Sequence, residues 1–161
     1  MPGDVEAAYR RYYPLIREKC RRVLGEGEAD DVAQETFIRL WRAGLADLDA
    51  RSISSWIYKT STRMAIDRLR EDARRPRGDE ALARIPDCAA PSDEALAARR
   101  RLAALAGILP ESELEVALLS RVDRLTQDEI AEVLGVSSRT VRRSLRRLEE
   151  RLGELRDGGL P

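Results

Sequence analysis

The sequence predicts an all-α protein: two small helical domains joined by a flexible linker, the C-terminal one a helix-turn-helix. Three observations carry this. Apolar residues recur at three- and four-residue spacing at both ends of the chain, the period of one helix face. Hydrophobic residues reach 43% while aromatics stay at 4%, which suits cores of Leu, Ala and Val better than a sheet. Between the periodic stretches lie Pro76, Gly78, Pro86 and Pro91, and the apolar residues there keep no sustained period. A length of 161 residues holds one ordinary domain or two small ones, and this hydrophobic fraction argues against disorder.

The first domain is expected over residues 1–72. Val5, Ala8, Tyr9, Tyr12, Leu15, Ile16, Cys20, Val23 and Leu24 mark the apolar face of an opening helix. Pro14 inside it predicts a kink or a split into two helices, and Gly25 and Gly27 end it. A second helix runs from Ala29 to Arg42, with Val32, Ala33, Thr36, Phe37, Leu40 and Trp41 inward. A loop from Gly44 to Ser54 leads to a third helix, Ser55 to Arg70, marked by Trp56, Met64, Ile66 and Leu69. Residues 73–91 read as linker.

The second domain is expected over residues 92–161. Ser92 can cap a helix whose first turn places Asp93 and Glu94 beside the helix dipole. Leu96, Leu102, Leu105 and Leu109 line one side of it, and Pro110 starts the next helix. Residues 153–161 look like a frayed tail. The two halves are expected to pack only loosely on each other.

The net charge is zero, with 29 basic and 29 acidic residues, but the charges are segregated. Residues 136–148 hold Arg139, Arg142, Arg143, Arg146 and Arg147 and no acid. Residues 111–132 hold Glu111, Glu113, Glu115, Asp123, Asp128, Glu129 and Glu132 against Arg121 and Arg124. One concentrated basic face in a neutral chain points to one directed contact with a nucleic acid or another anion. The only lysines are Lys19 and Lys59. There is no histidine, and the two cysteines, Cys20 and Cys88, lie far apart. This excludes a disulfide framework and the familiar zinc spacings, and removes the commonest general base. No phosphate-binding glycine loop and no paired nucleophile and base stand out, so neither an enzyme nor a cofactor or small-molecule substrate is expected. With no signal pattern and no long apolar run, the protein is expected in the cytoplasm, away from membranes.

The sharpest local pattern runs from Thr126 to Leu148. Thr126 and Glu129 have capping-box spacing. Ile130, Ala131 and Leu134 give a short helix its apolar face, and Gly135 supplies the left-handed stop. Ser137 can cap a second helix carrying Val141, Leu145, Leu148 and Leu152 inward. Ser138, Arg139, Thr140, Arg142, Arg143, Arg146 and Arg147 then lie outward. A major-groove reader needs this arrangement: a bracing helix, and a second whose early polar residues reach base edges. A solvated arginine face is the plain alternative; caps, turn and arginines occurring together favour DNA.

The first domain is less explicit. Asp31, Gln34 and Glu35 fall on one side of the helix from Glu28 to Trp41, although Asp30 and Asp31 also simply suit a helix N-terminus and Trp41 a core. Trp56, Tyr58, Arg63, Arg68 and Arg70 mix aromatic and basic groups, which suits single-stranded nucleic acid, although Trp56 also suits a core.

Taken together, the two halves and their order resemble the small extracytoplasmic-function (ECF) sigma factors of bacterial RNA polymerase. Residues 28–41 resemble that family's acidic-Gln-Glu-Phe-Leu-Arg-Leu-Trp helix. Residues 56–70 resemble its Trp-led helix, ending here in Ile66-Asp67-Arg68-Leu69-Arg70. Leu109-Pro110, the helix to Leu134 and Thr140-Val141 resemble its Leu-Pro, Glu-Ile-Ala-x-x-Leu-Gly and Thr-Val sequence. The resemblance implies an alternative sigma factor that performs no chemistry itself. Asp31, Gln34, Glu35 and Arg39 would dock on core RNA polymerase. Trp56, Tyr58, Arg63 and Asp67, with the loop from Gly44 to Ser54, would meet the opened minus-ten element. Ser138, Arg139, Thr140, Arg142, Arg143 and Arg146 would read the minus-thirty-five duplex. An anti-sigma factor is a further candidate partner beside polymerase and promoter DNA. The chain departs from the family at Thr60-Ser61-Thr62-Arg63, where Ile-Ala-Arg-Asn is usual, so Arg63 brings a charge where an amide normally sits. The competing readings are a free-standing helix-turn-helix regulator that never enters polymerase, and a protein adaptor in which Arg142 and Arg143 matter little.

Overall fold

The computed structural model describes residues 3–45, 48–75 and 92–158. Among these it contains seven α-helices and no strand: α1 (Gly3–Leu24), α2 (Glu26–Arg42), α3 (Ala50–Arg74), α4 (Asp93–Ile108), α5 (Glu111–Arg121), α6 (Gln127–Leu134) and α7 (Ser138–Gly158). The all-α reading holds. The linker expectation falls mostly on residues 76–91, outside the described residues, and α3 runs on to Arg74.

Helices α1, α2 and α3 pack around Ile16, Val23, Leu24, Val32, Leu40, Ile57 and Ile66, all nearly or fully buried. The helix α1 continues through Pro14 as one element rather than splitting. Pro14 lies on the exposed side, so water can take the carbonyl that proline leaves unbonded. Only Gly25 separates α1 from α2: its φ of 87° turns the chain, while Gly27 lies inside α2. The expected loop from Gly44 to Ser54 is shorter than predicted, because α3 begins at Ala50. The Asp49 carboxylate accepts a 2.7 Å hydrogen bond from the Ser52 backbone N–H and caps the helix there. That bond holds the Asp49 carboxyl below its usual range. Cys20 is buried, and burial pushes its thiol up to about 12.

The second half is joined more tightly to the first than the loose packing expected. Ala103, Ala106, Leu109, Leu114, Leu118 and Leu148 continue the core of the first three helices. The helix α4 buries its alanines rather than its leucines, with Leu102 and Leu105 only partly covered. Small residues let it approach α3 closely: a Cβ added at Gly107 would come within 3.3 Å of the Ala73 Cβ. A second cluster, Val116, Leu119, Ile130, Ala131, Val133 and Val141, holds α5, α6 and α7 together. The expected tail from Gly153 is helical as far as Gly158, anchored by Leu152 on the core and by Arg151, whose Nε lies 3.0 Å from the buried Glu113 carboxylate.

Candidate nucleic-acid interface

The helix-turn-helix forms as its sequence dictates. The Thr126 hydroxyl accepts from the Glu129 backbone N–H at 3.2 Å, and the Glu129 carboxylate accepts from the Thr126 N–H at 2.7 Å. Gly135, at φ 67° and ψ 35°, stops α6 in the left-handed region. The Val136 N–H then donates to the Ala131 carbonyl at 3.0 Å and the Gly135 N–H to the Glu132 carbonyl at 3.3 Å, closing the turn. Ser137 opens α7 by accepting from the Thr140 N–H at 3.1 Å. Val141 and Leu148 are buried beneath α7.

With that face inward, Arg139, Arg142, Arg143 and Arg146, at i, i+3, i+4 and i+7, share the outward stripe. They line one open concavity of about 750 Å³. All four are exposed, and among the described residues none forms an ion pair. Ser138 and Thr140 behave differently. The Ser138 hydroxyl donates to the Asp128 carboxylate at 2.5 Å, bracing α7 on α6, and the Thr140 and Ser137 hydroxyls lie 3.0 Å apart. The arrangement is a guanidinium stripe, unpaired among the described residues, on a helix held at its start by side-chain hydrogen bonds.

The helix α3 places Trp56, Arg63 and Asp67 on one stripe, at i, i+7 and i+11, with Tyr58 about 200° around from Trp56 by helical spacing. Trp56 is half-buried and Asp67 exposed. Tyr58 packs edge-on against Tyr12 at 6.1 Å and touches both hydrophobic clusters. Burial, followed by the Asp123 charge, raises its phenol above the ordinary range. The Arg63 Nε–H donates to the Glu115 carboxylate at 2.8 Å. A cleft of about 260 Å³ opens beside the start of α3, among Ala8, Arg11, Tyr12, Leu48, Asp49 and Ile53. It borders the loop that sequence reasoning assigned to promoter contact; residues 46–47 of that loop lie outside the described residues.

On α2, Asp31, Gln34 and Arg39 are exposed and Glu35 half-buried, its carboxylate accepting from the Arg39 Nε–H at 2.9 Å. Asp31 and Gln34 lie opposite the buried stripe of Val32, Ala33, Thr36, Phe37 and Leu40, with Glu35 and Arg39 on its flank. Trp41, expected inward, is 59% exposed, and Ile38 stands exposed beside it. Sequence periodicity missed Trp41 because it sits where the stripe turns from core to solvent. Among the described residues no group of His, Cys, Asp or Glu is arranged to hold a metal ion, and no helix is long and apolar enough to cross a membrane.

Comparison with known proteins finds a family match in each half. Sigma-70 region 2 matches residues 8–75 and sigma-70 region 4 matches residues 99–152. The chain is 31% identical to the ECF RNA polymerase sigma factor SigW of Bacillus subtilis, covering 91% of this chain and 86% of that one. It is also 31% identical to the ferric citrate uptake sigma factor FecI of Escherichia coli, over 86% of this chain and 82% of that one. Among solved structures, CnrH in complex with the cytosolic domain of CnrY is similar, with a TM-score of 0.64 and 25% identity over 96% of this chain and 88% of that one. The chain therefore belongs to the ECF group of RNA polymerase sigma factors, the proteins that direct transcription initiation.

Proposed function

We propose that this alternative sigma factor divides its work between three faces. The outward stripe of α7, with Arg139, Arg142, Arg143 and Arg146, and with Ser138 and Thr140 at its start, reads the minus-thirty-five element as duplex DNA. Trp56, Tyr58, Arg63 and Asp67 on α3 receive the opened minus-ten strand, whose unstacking costs a few kcal/mol that capture must offset. Asp31, Gln34, Glu35 and Arg39 on α2 dock on core RNA polymerase, with Ile38 and Trp41 extending that surface. Residues 1–72 and 92–161 act as the melting and duplex-reading domains, with residues 73–91 as the linker between them. The protein works in the cytoplasm and has no catalytic chemistry of its own. An anti-sigma partner is supported by the complex of CnrH with the cytosolic domain of CnrY.

The observation that carries the reading is the guanidinium stripe, unpaired among the described residues, on a capped helix. Arginine is the best side chain for guanine edges, and it is useful there only when no carboxylate neutralises it. The region 2 match over residues 8–75 favours this over a free-standing regulator, which needs no such domain.

The test is abortive transcription with purified bacterial core polymerase on a library of short genomic fragments. Initiation at a defined subset is the expected outcome, and it is lost with Asp31→Ala plus Gln34→Ala while helical content is kept. Duplex binding without polymerase association would point to a free-standing regulator and return α2 to an ordinary packed helix.

A further inference from the structure

The hydroxyls at the start of α7 are not equivalent. The Ser137 oxygen caps the helix by accepting from the Thr140 N–H at 3.1 Å, and it lies 3.0 Å from the Thr140 hydroxyl, where either group can donate. Ser138 is different. Its oxygen lies 2.5 Å from a carboxylate oxygen of Asp128, on α6. A carboxylate accepts and does not donate, so the Ser138 proton points at Asp128. A hydroxyl has one proton and two lone pairs. With the proton engaged, the Ser138 oxygen meets any further partner only as an acceptor.

Asp128 is held where it can do this. The capping box of Thr126 and Glu129 closes the start of α6, and Ile130 and Ala131 are buried beneath it. The loop before α6 turns through Arg124 at φ 57°, the only positive φ outside glycine among the described residues. That conformation is costly for a residue bearing a Cβ and persists only where its surroundings impose it. The Asp123 and Leu125 N–H groups donate to the Leu118 and Leu119 carbonyls at 3.1 and 3.0 Å and hold the turn. Ser138 itself lies four residues before Arg142, about 40° from it around α7. It therefore flanks the arginine stripe, and it is only partly buried, so its oxygen can be reached.

We propose that Asp128 is a positioning residue for promoter reading: it fixes Ser138 as an acceptor, so that the base facing Ser138 in the minus-thirty-five duplex is one offering an amino group, adenine or cytosine. In the major groove adenine N6 and cytosine N4 donate, whereas guanine and thymine present the acceptors O6 and O4. A freely turning serine serves either kind, and one whose proton is engaged discriminates. The arginines beside it only donate, and they favour guanine. Neighbouring positions of the element are thus read by opposite hydrogen-bond rules. Asp128 acts through Ser138 rather than on a base. This inference rests on the reading of α7 as the helix in the groove.

The test uses holoenzyme assembled from the full chain and bacterial core RNA polymerase. The probe is a promoter duplex found by the transcription experiment, its minus-thirty-five element randomised, with bound fragments sequenced. At one position of one strand, wild type is expected to favour adenine or cytosine over guanine or thymine by about fivefold, the ratio that one neutral hydrogen bond supports. Ser138→Ala should level that position by lowering the favoured bases. Asp128→Ala should level it by raising the disfavoured ones, because the freed hydroxyl can donate to them. Asp128→Asn removes the charge but keeps an oxygen for the Ser138 proton, so the preference should persist. Replacing the favoured adenine by purine, which lacks the amino group, should weaken wild type by the same factor and leave Ser138→Ala unmoved. A bond that only braces α7 on α6 predicts instead an even loss across all sequences in Asp128→Ala. That result overturns the inference, as does equal binding of adenine and purine by wild type. If Arg142→Ala shifts other positions while Ser138→Ala and Asp128→Ala shift none, the inference falls and the groove reading stands. If none of the three shifts any position, the groove reading of α7 falls with it.

Discussion

Helices α3 and α7 both carry arginines along an outer flank, yet the two flanks are in opposite electrostatic states. On α7, Arg139, Arg142, Arg143 and Arg146 face an open concavity, and among the described residues no acid meets them. On α3, Arg51, Arg63 and Arg70 each meet a glutamate from the second half. The difference follows from what each helix packs against. The buried side of α7 is apolar, seated on α5 and α6 through Val141 and on the core shared with the first half through Leu148. The flank of α3 is covered by chain more than forty residues away in sequence, and that chain is acidic. An arginine-rich helix therefore says little until its neighbours are known: the arginines of one such helix face open space and those of the other already meet carboxylates.

Leu148→Ala should blur this comparison most. Leu148 is almost fully buried beneath α7 and belongs to the core shared with the first half. Its truncation is expected to cost about 2–5 kcal/mol of stability, read by thermal or urea unfolding, and to weaken duplex binding by loosening α7. Little change in either would mean that α7 is positioned by its caps alone. Arg142→Ala and Arg143→Ala sharpen the comparison. Each should weaken specific duplex binding by ~1–3 kcal/mol where it reaches a base, with the fold unchanged. Unchanged promoter affinity in both would remove the groove assignment. Gly135→Ala should cost about 1 kcal/mol, because the left-handed turn at φ 67° meets open space but strains any Cβ. A melting temperature equal to wild type would show that the turn relaxes at no cost. The smallest effect is expected at Arg146, one turn farther along α7. Arg146→Ala should weaken binding evenly across sequences and lower the salt slope by about 1, as for loss of one phosphate contact. A change in base preference would place Arg146 on a base edge instead.

The local elements were legible because their causes are local. The capping box at Thr126, the turn at Gly135 and the cap at Ser137 depend on residues within three or four positions, and all form as read. The same logic would have found the start of α3 had the Asp49–Ser52 spacing been weighed against the loop reading. Pro14 does not split α1, since it lies on the exposed side, where water can take the carbonyl it leaves unbonded. Trp41 misled because apolar type was taken for burial, and at 59% exposure it belongs to the surface. Of the site residues, the four α7 arginines come together as expected, whereas Ser138 and Thr140 spend their hydroxyls on Asp128 and Ser137.

The sequence by itself determined the helices, the caps and turn of the reading unit, the segregation of acid from base, and the family. These are properties of neighbours along the chain or of type and order. Only the tertiary structure decided which cations are free. Lys19 and Asp123 are separated by a hundred residues of chain but meet at 2.6 Å. Such a pair has no periodicity to announce it, because it exists only once two helices and a strained loop have excluded water from the space between them.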